Sequence, residues 1–171
     1  MLENVQKELN RFAKYVVTQS RSNLTRQKKN ASKQLWQSID YDLKVSKNSF
    51  QLEFLMEDYG IFQDKGVSGT EKKYNTPYKY TNKMPPPSKM DKWIVKRNLK
   101  GVRDKNGKFI SRKSLQFMIA RSIYKKGIKP SLFFTKPFEK AFKNINEDLI
   151  EAYKLDVQKL METTIKDNFK K

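Results

Sequence analysis

Four carboxylates crowd a short stretch of this chain: Asp40, Asp42, Glu53 and Glu57. Paired carboxylates can hold Mg²⁺ and support hydrolysis of a phosphodiester, so a carboxylate-metal nuclease is the one catalytic class the residues suggest. Asp40 and Asp42, however, are two residues apart in an alternating stretch, which puts both on the polar face of a strand, where solvation is the ordinary role. The sequence holds no His and no Cys. The commonest general base, the commonest neutral metal ligand, thiolate metal sites, disulfides and Cys nucleophiles are therefore all excluded. An enzyme would have to rely on carboxylates, Lys, Tyr or Ser, as many do; the balance tips the expectation toward a protein that is not an enzyme and carries no cofactor or metal.

Binding chemistry is better represented. Tyr74, Tyr78 and Tyr80 interleave with Lys79, a mixture that can stack bases and hold phosphates, or can pin a segment to its own domain. Gly66 and Gly69 are followed by loop rather than by a helix, so they do not make a phosphate-binding loop. Trp93 reads as a core or interface anchor. Two further segments combine aromatics with Gly or Pro, as buried turns and subunit contacts do. They are Asp58-Tyr59-Gly60-Ile61-Phe62-Gln63-Asp64-Lys65-Gly66 and, some seventy residues on, Gly127 to Phe138, containing Pro130, Phe133, Phe134 and Phe138.

The elements that must position these residues follow from periodicity. Leu2, Val5, Leu9, Phe12, Val16 and Leu24 step by threes and fours, with Ser20 filling a gap, and predict a helix over residues 1–32. Ile39, Tyr41, Leu43 and Val45, then Phe50, Leu52 and Phe54, alternate with polar neighbours and predict a hairpin over 36–57 turning at Lys47-Asn48-Ser49. Residues 65–88, with two Gly and four Pro, read as a long loop; a loop of that length is functional or has a surface to lie against, such as a neighbouring chain. Residues 89–127 read as short helices: one capped by Ser88, a basic turn around Asp104 to Lys108, and one capped by Ser111 or Ser114 and ended by Gly127. Residues 134–171 predict a last helix with Pro137 in its first turn, long enough to pack on another subunit. Together these give one α+β domain over 1–171, with long terminal helices packed on a small antiparallel sheet.

Charge adds a partner class. The chain of 171 residues carries 37 Lys and Arg against 18 Asp and Glu, a formal net charge of +19. Residues 58–131 alone hold 19 basic and 5 acidic groups. An excess confined to one region predicts an anionic surface beside it, although scattered lysines also serve solubility. The candidate contacts to DNA or an acidic partner are Lys72, Lys73, Lys79, Lys83, Lys89, Arg103, Lys105 and Lys108. No apolar run is long enough to span a bilayer, and the N-terminal residues lack the apolar core of a signal peptide, so the expectation is a soluble protein made in the cytoplasm without membrane partners.

The order of the motifs is itself informative. Gln34-Leu35-Trp36-Gln37-Ser38-Ile39, the hairpin, Tyr59 to Gly66, Pro87 with Trp93, Ala120 to Gly127, and Pro130 to Phe138 together span roughly residues 30 to 145. That order resembles the neck and tail-completion proteins of tailed bacteriophages, also described as head–tail joining or minor tail proteins. Gln34 stands where a glycine commonly precedes the first leucine, and the middle loop is longer and more basic. The resemblance implies a structural virion protein located in the neck or tail, without catalysis. It implies a homo-oligomeric ring of six or twelve copies around the DNA channel, contacting portal or connector and tail proteins and, through the basic loop, packaged DNA. Tyr59, Phe62 and Gly66 would shape the turn after the hairpin, Trp93 would belong to the short helix, and Pro130, Phe133, Phe134 and Phe138 would anchor the last helix. A free DNA-binding or DNA-packaging accessory protein is the alternative.

Overall fold

Two long helices bracket the chain. The structure is a computed structural model that describes the backbone of residues 2–29, 32–46, 49–99 and 101–168, and their side chains up to residue 163. In order it shows α1 (Glu3–Arg26), α2 (Gln34–Ser38), β1 (Asp40–Val45), β2 (Phe50–Leu55), α3 (Gly60–Lys65), a 3₁₀ turn (Pro87–Met90), α4 (Asp91–Lys96), α5 (Arg112–Lys126) and α6 (Thr135–Asn168). The fold is α+β, with the long terminal helices packed on a two-stranded antiparallel sheet. The chain divides into two compact units.

The first unit comprises Met1–Asn23, Gln37–Met56 and Phe133–Lys171. Its core is the set of apolar positions expected from periodicity. Phe12, Val16 and Ile145 are buried, with Leu52, Phe54, Phe134, Phe138 and Leu149 packed against them. The ring pairs are edge-on: Phe12 to Phe138 at 5.7 Å, Phe54 to Phe134 at 5.3 Å and Phe54 to Phe138 at 5.9 Å. Such geometry sets the positive edge of one ring against the negative face of the next. The strands pair Tyr41 with Phe54 and Leu43 with Leu52, so one face carries the apolar residues. Ser20, read as a gap in the stripe, is buried. Of the expected turn, Lys47 and Asn48 lie outside the described residues, as do residues 30–31 of the N-terminal segment, the side chains of Thr164 and Ile165, and Phe169.

α1 and α6 run antiparallel. Arg11 bonds Asp148 at 3.2 Å, and the Asn23 side-chain amide donates to the Phe133 carbonyl at 3.1 Å. The start of α1 has no capping side chain of its own in sequence. Instead the Asp156 carboxylate of α6, 5% exposed, accepts from the backbone N–H of Asn4 at 3.0 Å and of Val5 at 3.1 Å, and from the Asn4 side-chain amide at 2.8 Å. These are first-turn donors that no intrahelical carbonyl can reach. Burial works against ionisation of Asp156, but the bonds from Asn4 and Val5 and the charge of Lys159 outweigh it and hold the carboxyl below its usual range.

The second unit comprises Leu24–Trp36 and Glu57–Leu132. Here α1 stops at Arg26, earlier than its periodicity suggests. Lys28 takes a left-handed φ of 54°, the Lys29 N–H reaches back to the Leu24 carbonyl at 2.9 Å, and the Lys28 N–H to Thr25 at 3.0 Å. That is a Schellman stop with lysine in the glycine position, invisible to a reading based on hydrophobic steps. α4 ends the same way, with Asn98 at φ 52°. Ser88, expected as a cap, lies inside the 3₁₀ turn; no side chain caps either that turn or α4. Ser111 is the cap of α5, accepting from the Ser114 N–H at 3.1 Å.

Candidate functional site

The first Gly-containing aromatic segment and the part of the second from Gly127 to Leu132, far apart in sequence, are stitched together inside the second unit. Tyr59 to Gly66 forms the short helix α3 rather than an open turn. Its last carbonyls have no helical partner, and the second segment supplies one: the Ser131 N–H donates to Gln63 and Asp64, at 3.2 and 3.0 Å, and the Leu132 N–H to Asp64 at 3.0 Å. Beyond the helix, Val67 and Ile128 exchange both backbone bonds, at 2.9 and 2.8 Å. The approach is close enough to require glycine. A Cβ on Gly66 would lie 2.6 Å from the Ile128 carbonyl oxygen and 2.7 Å from Pro130, and one on Gly127, at φ 71°, would overlap the Val67 carbonyl oxygen.

The end of α1 joins the same seam. The Gln27 side chain donates to the Ser131 carbonyl at 3.0 Å and Lys29 Nζ to the Lys129 carbonyl at 3.2 Å. Burial pushes the Lys29 ammonium below its usual pKa, the Lys129 charge pushes it the same way, and the Asp64 carboxylate opposes both. Asp64 itself is 4% exposed. Leu132 adopts φ 50°, and the chain then enters the first unit, where Phe133 is fully buried and Phe134 and Phe138 belong to the aromatic core. Phe133 is thus core within its own chain rather than an outward contact.

The long loop has its own surface to lie against. Ser68 organises it: its N–H donates to Tyr78, its carbonyl accepts from Tyr80, and its hydroxyl pairs with the Tyr74 backbone. Tyr78 meets Phe62 edge-on at 4.8 Å, and Tyr80 meets Tyr124 at 6.2 Å. Burial raises the pKa of Tyr80. The Tyr124 hydroxyl donates to the Thr81 carbonyl at 2.6 Å, and Thr70 and Glu71 donate to carbonyls at the end of α5. The order of this loop is accounted for without a neighbouring chain. Of the two roles open to Tyr74, Tyr78 and Tyr80, the geometry shows the pinning one.

The candidate cations are otherwise outward. Lys72, Lys73, Lys79, Lys83, Lys89, Arg103, Lys105 and Lys108 are all exposed. Arg103, Lys105 and Lys108 share a small hairpin-like finger, in which Val102 to Ile110 fold back through a turn at Asp104 to Gly107. Its one acid, Asp104, is occupied in accepting the backbone N–H groups of Asn106 and Lys108, both at 2.9 Å. The Arg103 guanidinium lies 3.9 Å from the centroid of Phe109, a ring that is 61% exposed. Trp93, expected as an anchor, is 43% exposed and carries Arg97 over its ring at 5.8 Å, whereas its neighbour Ile94 is the buried residue of α4. Arg112 forks onto Asp91, joined by Gln116, and fixes α5 to α4; the Arg112 bond and charge hold the Asp91 carboxyl low.

The structural division exposes a charge segregation that sequence blocks only blurred. The second unit holds 23 Lys and Arg against 6 Asp and Glu, a net of +17. The first holds 14 against 12, a net of +2. The carboxylates of the nuclease reading lie in the near-neutral first unit, Glu57 excepted. Asp42 and Glu53 face each other across the strands, with the Lys44 ammonium at 3.9 and 3.0 Å from them. A cation of the chain itself already occupies that position. Among the described residues no group of three or more carboxylates is placed to hold a metal ion, and no helix is long and apolar enough to cross a membrane. No family model, curated protein or solved structure matches the chain.

Proposed function

We propose that this chain is a structural, non-catalytic virion protein of the head–tail junction of a tailed bacteriophage. It would form a homo-oligomeric ring around the DNA channel and join portal or connector to tail. The observation that carries the reading is the seam. Within the second unit, Tyr59 to Val67 and Gly127 to Leu132, which include parts of two of the motifs whose order carries the resemblance, close on each other through backbone bonds and glycine-only approaches, as one frame rather than two independent turns. A frame of this kind, with outward cations beside it, suits holding an anionic partner.

A second reading, a free DNA-binding or packaging accessory protein, is favoured by the +17 unit. Electron microscopy separates the two. Copies of the chain arranged as a ring in the neck of virions support the junction protein. A monomer that binds DNA with a steep salt dependence and is missing from virions supports the accessory protein.

A further inference from the structure

α6 has two apolar faces, and among the described residues one is covered while the other stands exposed. Ile145, Leu149, Ala152 and Asp156 point to α1 and the core. About a quarter-turn round the helix runs a second stripe: Phe142, Ile150, Tyr153, Val157, Leu160 and Met161. At 1.5 Å per residue it extends about 29 Å; Asn146 interrupts it between Phe142 and Ile150, and from Ile150 to Leu160 it steps by threes and fours as a helix-packing seam does. Leu160 and Met161 are each 63% exposed and Tyr153 is 53% exposed. An outward stripe of this length exceeds the scattered apolar residues a monomer surface ordinarily shows.

Charge decides the occupant. Beside the stripe the charges of α6 are mixed, three acidic (Glu139, Glu147 and Glu151) and two basic (Lys143 and Lys154), and so make no run of cations for a polyanion. Two copies meeting through their basic units would confront a net +17 on each side, whereas two copies meeting through their first units confront +2. Mixed-sign flanks on a near-neutral body are what a helix needs to pair with its own kind. We infer that the outer stripe of α6 is a contact between copies of this chain. The contact gives a specific face to the expectation, drawn from its length, that the last helix packs on another subunit, and it stands or falls separately from the ring.

The absence of native cysteine makes the test direct. Single-cysteine chains Tyr153→Cys and Leu160→Cys, oxidised at micromolar concentration, are expected to give a covalent dimer at least tenfold faster than Leu155→Cys. Leu155 is 51% exposed but lies on the opposite side of the same helix. In parallel, Tyr153→Glu/Leu160→Glu is expected to lower the light-scattering mass of the full chain to the 20.3 kDa monomer with its helical circular dichroism unchanged. Equal crosslinking at all three positions, or a wild-type chain that is already monomeric, overturns the inference. Dimers through α6 in a protein absent from virion necks would leave this contact standing and remove the ring. A neck ring that persists in the Tyr153→Glu/Leu160→Glu chain would do the reverse.

Discussion

Gly127 illustrates what single residues carry here. From sequence it reads as the stop of α5, and it is one: its N–H bonds the Ile123 carbonyl at 2.7 Å. Its second role, letting Val67 approach, depends on a chain segment sixty residues earlier, and nothing local to Gly127 encodes that. The two roles predict a contrast. Gly107, also left-handed at φ 78°, has open space where a Cβ would go. Gly107→Ala should therefore lose only about 1 kcal/mol of stability, the cost of the left-handed backbone. Gly127→Ala should lose about 3 kcal/mol or more, because backbone must also shift. Urea denaturation of both variants measures the difference, and equal losses would remove the seam from the account. Trp93 carries the opposite lesson. Its size suggests burial, but the helical register gives the interior to Ile94.

At the level of elements, the paired strands, both long helices and a serine cap for α5, left open between Ser111 and Ser114, were legible because each rests on local periodicity or local hydrogen bonding. The end of α1 was not, since lysine at φ 54° gives no compositional signal. The capping of α1 by Asp156 was not either, because donor and acceptor are some 150 residues apart. That cap makes α1 docking pH-dependent, with a definite sign. Folding lowers the carboxyl's pKa, so its contribution is complete above the unfolded value of about 3.9 and is lost as pH falls through the lower folded value. Asp156→Asn should cost about 1–2 kcal/mol at neutral pH. It should also flatten the fall in stability on acidification below about pH 4. Chemical denaturation at a series of pH values checks both. A variant that keeps the wild-type acid slope would show that the cap contributes nothing.

For the whole molecule, the sequence revealed that charge was concentrated but misplaced its boundary. The basic body also takes in Arg26 at the end of α1 and Lys28, Lys29 and Lys33 after it, which only the folded division assigns to it. The folded-back loop moves attention from the tyrosines to the finger around Lys105. If unit two meets packaged DNA, its affinity for duplex should fall linearly on a log–log salt plot. Replacing Arg103, Lys105 and Lys108 together by Ala should reduce that slope by about 2–3 without altering sequence preference. Fluorescence anisotropy across salt concentrations reads this out, and an unchanged slope would clear the finger of phosphate contact. The central claim is tested most directly by cryo-electron microscopy of virions carrying this chain. The expected result is a ring of its copies between portal and tail, enclosing the DNA channel. Virions whose necks contain no density for it would contradict the proposal.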